Sequence, residues 1–320
     1  MARQKMPALS VAVGKDQRLA WSAGFGMAEL ENSVPARALT VYRVASLAKP
    51  ITAVAVMQLA ERGKLDLDAP IQKYVPAFPE KPWPITARLL LSHQSGIRHY
   101  RVFPDEVGNT RHYTDLLEPL QLFAADPLGF EPGARFLYSS YGYCLLGAAV
   151  EGASGAKFVD YLRENIFVPA GMEHTRADSV QDIIPDRARG YRLNTAGIIE
   201  NCALADTSNK IPAGGLVSTV EDLVKFTVAL NQGRLVKSET REQMYTAQKT
   251  RDGQPAPFGL GFGIQESQGL KWVAHVGDQQ GVSALLASLP AQGFTVVLIT
   301  NLERADLDRL ASRIAALVLR

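Results

Sequence analysis

Ser46 and Lys49 stand three residues apart in Ser46-Leu47-Ala48-Lys49-Pro50. In a helix that spacing puts a hydroxyl and an amine on one face, a nucleophile beside a candidate base. The run that follows, Ile51 to Leu59, is apolar nearly all round, which predicts a buried helix. Pro50 has no N–H, so regular bonding is weakest at the Ser46 carbonyl and Ser46 belongs in the first turn. There the serine sits at the positive end of the helix dipole, with a backbone N–H beside it that could serve an oxyanion. Burial would lower the lysine pKa toward the range in which a neutral amine accepts a proton. A capping serine followed by a snorkelling lysine would leave the same short pattern, so the pair needs context.

Context comes from Tyr138-Ser139-Ser140, which follows the turn Phe130-Glu131-Pro132-Gly133, and from His275-Val276-Gly277 near the C-terminus. Together with Ser46-x-x-Lys49 these segments resemble the serine β-lactamase and penicillin-binding-protein superfamily. The resemblance is to its class C branch, which holds family VIII esterases, DD-peptidases and mitochondrial serine β-lactamase-like proteins. It extends through Gly63-Lys64-Leu65-Asp66-Leu67-Asp68, Leu90 to Ile97, Pro169-Ala170-Gly171-Met172 and Ala213 to Thr219. Ser95 to Tyr100 is most similar to the mitochondrial type.

The resemblance implies an α/β (α+β) fold of the β-lactamase/transpeptidase type and a metal-free serine hydrolase without a cofactor. Ser46 would be the nucleophile that carries the acyl group, with Lys49 and Tyr138 moving protons. Which of the two is the base stays open, because tyrosine's unperturbed pKa of about 10 requires nearby positive charge before its anion is useful. The oxyanion hole would be the backbone N–H groups of Ser46 and Asp278. Ser140, His275 and Gly277 would border the substrate.

Three departures from the superfamily pattern bear on the substrate. Ser140 stands where many relatives have asparagine, and a hydroxyl replaces only one end of an amide. His275 replaces the lysine of Lys-Thr-Gly, and a histidine with a pKa near ~6.5 is a weak anchor for a carboxylate at neutral pH. Asp278 adds a carboxylate beside the oxyanion donor, opposing an anionic substrate unless it is turned away or paired. All three favour a neutral or cationic ester or amide over a β-lactam.

Other chemistry-bearing residues are less specific. His93 and His99 have no acidic partner at ligand spacing and suggest structural roles. His112 and His174 have no suggestive neighbours. Gly259-Leu260-Gly261-Phe262-Gly263 lacks the lysine of a phosphate loop and suggests a glycine-rich strand near the cleft. Gln94-Ser95-Gly96 lacks the first glycine of a nucleophile elbow. Arg98 and Tyr100 border the cleft by analogy or belong to a solvated loop.

These residues need elements to hold them. Leu9, Val11 and Val13 alternate with Ala8, Ser10 and Ala12, then Gly14-Lys15-Asp16 turns into Leu19 to Ser22, an opening hairpin. At the far end Trp272 to His275, Val282 to Leu289 and Phe294 to Thr300 are expected strands. A closing helix from about Asp306 to Leu319 would present Leu307, Leu310, Ile314, Leu317 and Val318 on one face. From Ser46 to about Leu230 the signals are mainly helical, with breaks at Gly63, Gly133, Gly155, Pro169 and Gly171, and a capping box Ser218-Thr219-Val220-Glu221. One antiparallel sheet built from both chain ends, flanked by helices and carrying a large helical insertion, satisfies this order. The expectation is a single catalytic domain over 1–320, its sheet part about 1–45 and 210–320 and its helical part about 46–209.

Length alone, 320 residues, would suggest two domains. Lys+Arg 34 against Asp+Glu 32 lacks the basic excess of a nucleic-acid binder. Two cysteines, Cys144 and Cys202, build no disulfide framework and show no ligand spacing. No apolar run approaches the ~20 residues of a membrane span, and the N-terminus shows no signal peptide, leaving the compartment open. The expected partner is a small-molecule or peptide substrate, and self-association is not deducible. The leading expectation is an esterase or peptidase/amidase acting through an acyl-enzyme on Ser46. A β-lactamase or DD-carboxypeptidase, and a non-catalytic scaffold with the same fold, are the alternatives.

Overall fold

The alternating N-terminal residues form β1 (Ala8–Lys15) and β2 (Arg18–Glu29), joined through Asp16-Gln17 at φ 50° and 59°. Two positive φ values in a two-residue loop match the twist of a hairpin. The computed structural model describes residues 1, 4–101, 106–267 and 269–319. β3 (Val34–Pro35), β4 (Gly263–Ser267), β5 (Leu270–Gln279), β6 (Val282–Leu289) and β7 (Phe294–Thr300) complete a seven-stranded sheet. Its order is β3-β2-β1-β7-β6-β5-β4 and every neighbouring pair is antiparallel. The first and last strands meet at its centre, with Val11 opposite Leu298.

Both faces of the sheet are covered. Leu9, Val11 and Val13 join Val296 and Leu298 beneath the closing helix, whereas Ala8, Ala12, Val297 and Ile299 belong to the main core. The closing helix spans Asp308–Val318, but Leu317 is 69% exposed. Its buried stripe runs instead through Leu307, Ala311 and Ala315, flanked by Leu310, Ile314 and Val318. At 3.6 residues per turn Leu317 points about 100° from the middle of that stripe. The small alanines let the helix lie close to the sheet.

On the opposite face, α1 (Ala48–Glu61) is buried from Ala48 to Leu59, as its apolar circumference requires. α2 (Ser140–Ser154) packs against α1 and against the short helix Ile211–Gly214. Gly147 permits that approach, because a Cβ there would come within 2.1 Å of Pro212 Cγ. The middle of the chain is not wholly helical. Tyr42–Arg43, Leu216–Ser218 and Arg176–Ala177 form a three-stranded sheet that leads the chain toward Ser46. Among the described residues no helix is long and apolar enough to cross a membrane.

The cap of α3 (Val220–Asn231) lies one residue later than the sequence suggested. Thr219 is the N-cap, its Oγ1 accepting from Asp222 N at 3.1 Å. Ser218 is still paired in a strand opposite Tyr42, so it is unavailable, and Glu221 accepts from Ser22 instead of closing a capping box. Removing the cap by Thr219→Ala is expected to lower unfolding free energy by about 1 kcal/mol. Urea denaturation of the two proteins measures that difference.

Candidate active site

Three elements converge on Ser46. The residue sits in a short 3-10 turn, Ala45–Leu47, that runs directly into α1. Ala45 adopts φ 47°, a left-handed conformation rare for alanine, as the chain turns from strand to helix. Ala45 and Leu47 are buried while Ser46 is half-buried, so the turn presents one hydroxyl to the cleft.

Lys49 is 0% exposed, and its Nζ lies 2.9 Å from Ser46 Oγ and 2.8 Å from the Ala213 carbonyl oxygen. Desolvation lowers its pKa from 10.5 to about 7; a raising effect from Cys144 is outmatched, and the charge of Lys210 lowers it further. A neutral amine against Ser46 is therefore within reach near neutral pH. The Tyr138 ring lies beneath the same amine, 4.9 Å from Nζ to centroid. Burial pushes the Tyr138 pKa up and interaction with Ser46 pulls it back only in part, so this phenol is protonated.

Tyr138 immediately precedes α2, whose N-terminus is held by two imidazoles. His93 Nδ1 accepts from Ser139 N at 3.1 Å, and His99 Nδ1 accepts from Ser140 N at 3.1 Å. Ser139 caps the helix by accepting from Gly142 N and donates its own hydroxyl to the Arg98 carbonyl. Desolvation followed by the Lys49 charge holds both histidines below the usual range, His99 at about 4, so each keeps its accepting lone pair. The His93 ring also packs 4.3 Å from the Tyr138 ring. Two histidines without sequence partners thus orient the segment that carries Tyr138 and Ser140.

Strand β5 forms the third wall. A Cβ on Gly277 would lie 2.8 Å from the Val44 carbonyl oxygen and 3.1 Å from Ser46 N, so only glycine lets the strand come this close. That contact places the backbone leading to Asp278 alongside the Ser46 amide. Asp278 turns its carboxylate away, Oδ1 accepting from Ser283 Oγ at 3.1 Å and Arg304 N at 2.9 Å. His275 is 4% exposed and donates Nδ1–H to its neighbour's carbonyl, Val276 O, at 2.9 Å. Desolvation, then the Lys49 charge, lower its pKa to about 3, so it is a neutral ring.

The cleft divides at Ser46. A lobe of about 580 Å³ contains Tyr138, His275, Phe258 and Ile264. A lobe of about 230 Å³ contains Ser140, Tyr100, Lys210 and Gln279. Ser46, His99 and Asp278 border both. The structure therefore gathers Ser46, Lys49, Tyr138, Ser140, His275, Gly277 and Asp278 in one place. Arg98 is elsewhere, ion-paired with Glu106 and Asp126. In the glycine-rich run only Gly263 belongs to a strand. Lys210, Gln279 and His99 were not recognised as cleft residues from sequence; the one signal was a lone cation ahead of Ile211-Pro212-Ala213-Gly214-Gly215.

A family model described as Beta-lactamase matches residues 1–319. The human mitochondrial serine beta-lactamase-like protein LACTB is 31% identical, over 97% of this chain and 76% of its own length. Penicillin-binding protein 4* of Bacillus subtilis is 28% identical over 87% of this chain and 64% of its own. The octameric penicillin-binding protein homologue from Pyrococcus abyssi matches with a TM-score of 0.85 at 29% identity, covering 100% of this chain and 75% of that one. The D-amino acid amidase from Ochrobactrum anthropi, 24% identical, has the same fold with a TM-score of 0.82, over 96% and 90%. The mixed α/β fold with an antiparallel sheet is that of penicillin-binding-protein-like structures.

Gly277→Ala is expected to drive a methyl group into the Ser46 turn and move β5 off Ser46. Labelling of Ser46 by a fluorophosphonate is expected to slow at least about tenfold, the cost of losing one aligned oxyanion donor being of that order or larger. Intact-mass spectrometry follows the labelling, and an unchanged circular dichroism spectrum shows the fold is kept.

Proposed function

The chain belongs to the Beta-lactamase family, and from that premise we propose that it is a serine hydrolase working through an acyl-enzyme on Ser46. The observation that carries this is the fully buried Lys49 amine, 2.9 Å from Ser46 Oγ, with a pKa lowered to about 7. A neutral amine at that distance accepts the Ser46 proton as Oγ attacks a carbonyl carbon. The choice of base left open by the sequence falls to Lys49, since burial raises the Tyr138 pKa and leaves it an acid.

The negative charge developing on the carbonyl oxygen meets the Ser46 and Asp278 backbone N–H groups, which Gly277 allows to lie side by side. Tyr138 protonates the departing alcohol or amine and recovers its proton from the Lys49 ammonium. Water then attacks the ester carbon on Ser46, Lys49 taking its proton and passing it to Ser46 Oγ as the C–O bond breaks and the acid leaves. Each half-reaction returns the groups to their starting protonation, as a hydrolytic cycle requires.

The larger lobe receives the leaving group, because Tyr138 lies on that side of Ser46. Its histidine is neutral and its lining includes Phe258 and Ile264, an environment for a neutral or cationic leaving group of an ester or amide. A penicillin carboxylate finds no fixed cation at His275. Esterase or peptidase/amidase activity is therefore favoured over β-lactam hydrolysis, and the buried Lys49–Ser46 pair argues against a non-catalytic scaffold. The D-amino acid amidase shares the fold, which makes aminoacyl amides a natural second substrate set to test.

A fluorophosphonate is expected to label the protein once, at Ser46, and Ser46→Ala to abolish it; absence of labelling overturns the proposal. Lys49→Ala and Tyr138→Phe are each expected to lower kcat/KM for a 4-nitrophenyl ester by about 10²- to 10⁴-fold while the protein stays folded. Turnover of a chromogenic cephalosporin is expected to be slower than that of the ester.

The pH profile follows from the Lys49 shift. Below about pH 7 the amine is an ammonium without a lone pair, so kcat/KM falls with decreasing pH through an apparent pKa of about 7 and levels above it. A flat profile from pH 5 to 9 removes Lys49 as the base.

A further inference from the structure

We propose that Lys210 is a specificity-determining residue that anchors a carboxylate at the far end of the substrate's acyl group. This rests on the acyl-enzyme assignment above, which sends the leaving group into the larger lobe and leaves the smaller one for the acyl chain. The substrates indicated are monoesters or monoamides of short dicarboxylic acids.

Among the described residues the smaller lobe contains a cation and donors, and its one bordering carboxylate, Asp278, is hydrogen-bonded. Lys210 is 2% exposed, donates to the Val107 carbonyl oxygen at 3.0 Å, and lies 5.7 Å from the Tyr100 ring centroid. An ammonium has three N–H donors, so two remain after that bond. Among the described residues the surrounding carboxylates are engaged elsewhere. Asp178 is held by Arg43 and Arg187, Glu106 by Arg98, and Asp206 by His112. Asp278 borders the lobe as well, with its Oδ1 already bonded to Ser283 Oγ and Arg304 N.

A second donor points the same way. Gln279 borders the lobe and its Nε2 is buried without a hydrogen-bond partner. A buried donor left unpaired is costly, as is a buried ammonium without a counter-charge, and one carboxylate relieves both. A carboxylate has two oxygens and accepts from both groups, which water or a neutral ether cannot match in charge. The lobe's volume of about 230 Å³ restricts the acyl part to a short chain between the Ser46 ester and the anion. The sequence pointed away from anionic substrates through Ser140, His275 and Asp278; the anion site lies in the other lobe, on the Lys210 side of Ser46.

The test compares 4-nitrophenyl hemisuccinate with 4-nitrophenyl butyrate, which share a leaving group and nearly the same chain length. After subtraction of the uncatalysed rates, wild-type kcat/KM is expected to favour the hemisuccinate by about 10- to 100-fold, the range of a charge-assisted hydrogen bond. Lys210→Met is expected to bring the hemisuccinate-to-butyrate ratio to about one with Ser46 still labelled, any change shared by both esters coming from the lost charge near Lys49. A wild-type preference for butyrate, or equal rates, overturns the proposal without needing any variant to fold. A Lys210→Met protein that loses both esters in equal proportion also overturns it, since that marks a positioning effect on Lys49. If Ser46 is not labelled and neither ester is hydrolysed, the acyl-enzyme assignment itself fails.

Discussion

The rest of the structure depends on keeping one amine out of water. Lys49 has its pKa lowered to about 7 because it is enclosed, and it is enclosed because it begins a helix buried along nearly its whole length. An exposed lysine at the same distance from Ser46 would be protonated and useless as a base. The same absence of water lowers His93, His99 and His275 and raises Tyr138. One dry environment thus pushes Lys49, Tyr138, His93, His99 and His275 around Ser46 toward their neutral forms. Additional positive charge from Lys210 acts in the same sense on Lys49.

Enclosure must still leave Ser46 accessible, and the fold meets both demands by placing it at a seam. Helices α1 and α2 supply the buried side, whereas β5 supplies an open edge of the cleft. The two sides touch through Gly277, where any side chain would collide with the Val44 carbonyl and the Ser46 amide. The left-handed Ala45 just upstream turns the hydroxyl outward while its neighbours remain in the core. Conformational strain at Ala45 and close contact at Gly277 are small energies beside the core that surrounds them, so the packing can sustain both.

Polar groups around the site follow a consistent division. Several that shape it are hydrogen-bonded: two imidazoles accept through Nδ1 from the α2 N-terminus, and Asp278 accepts from Ser283 and Arg304. Among the described residues, spare donors of Lys210 and Gln279 share a lobe, while the second nitrogens of His93 and His275 are also without partners. Satisfied groups make a rigid scaffold, and unsatisfied ones mark where a ligand's atoms complete the bonding.

The sequence by itself determined what local geometry controls. Ser46 and Lys49 share a face because one helical turn joins them, and α1 is buried because its residues are apolar on all sides. The hairpin and the strands Val282–Leu289 and Phe294–Thr300 follow from residue alternation and intervening turns. At helix ends this local information ran short: the stripe of the closing helix excludes Leu317, and a strand residue displaced the α3 cap to Thr219. Only the tertiary structure decided how Asp278 is bonded, what His93 and His99 hold, that burial lowers the Lys49 pKa while raising that of Tyr138, and that Lys210 enters the cleft. These depend on burial and on contacts between segments far apart in the chain. Such contacts leave no periodic trace in the residues that make them, because desolvation and orientation belong to the surroundings of a side chain and not to its type.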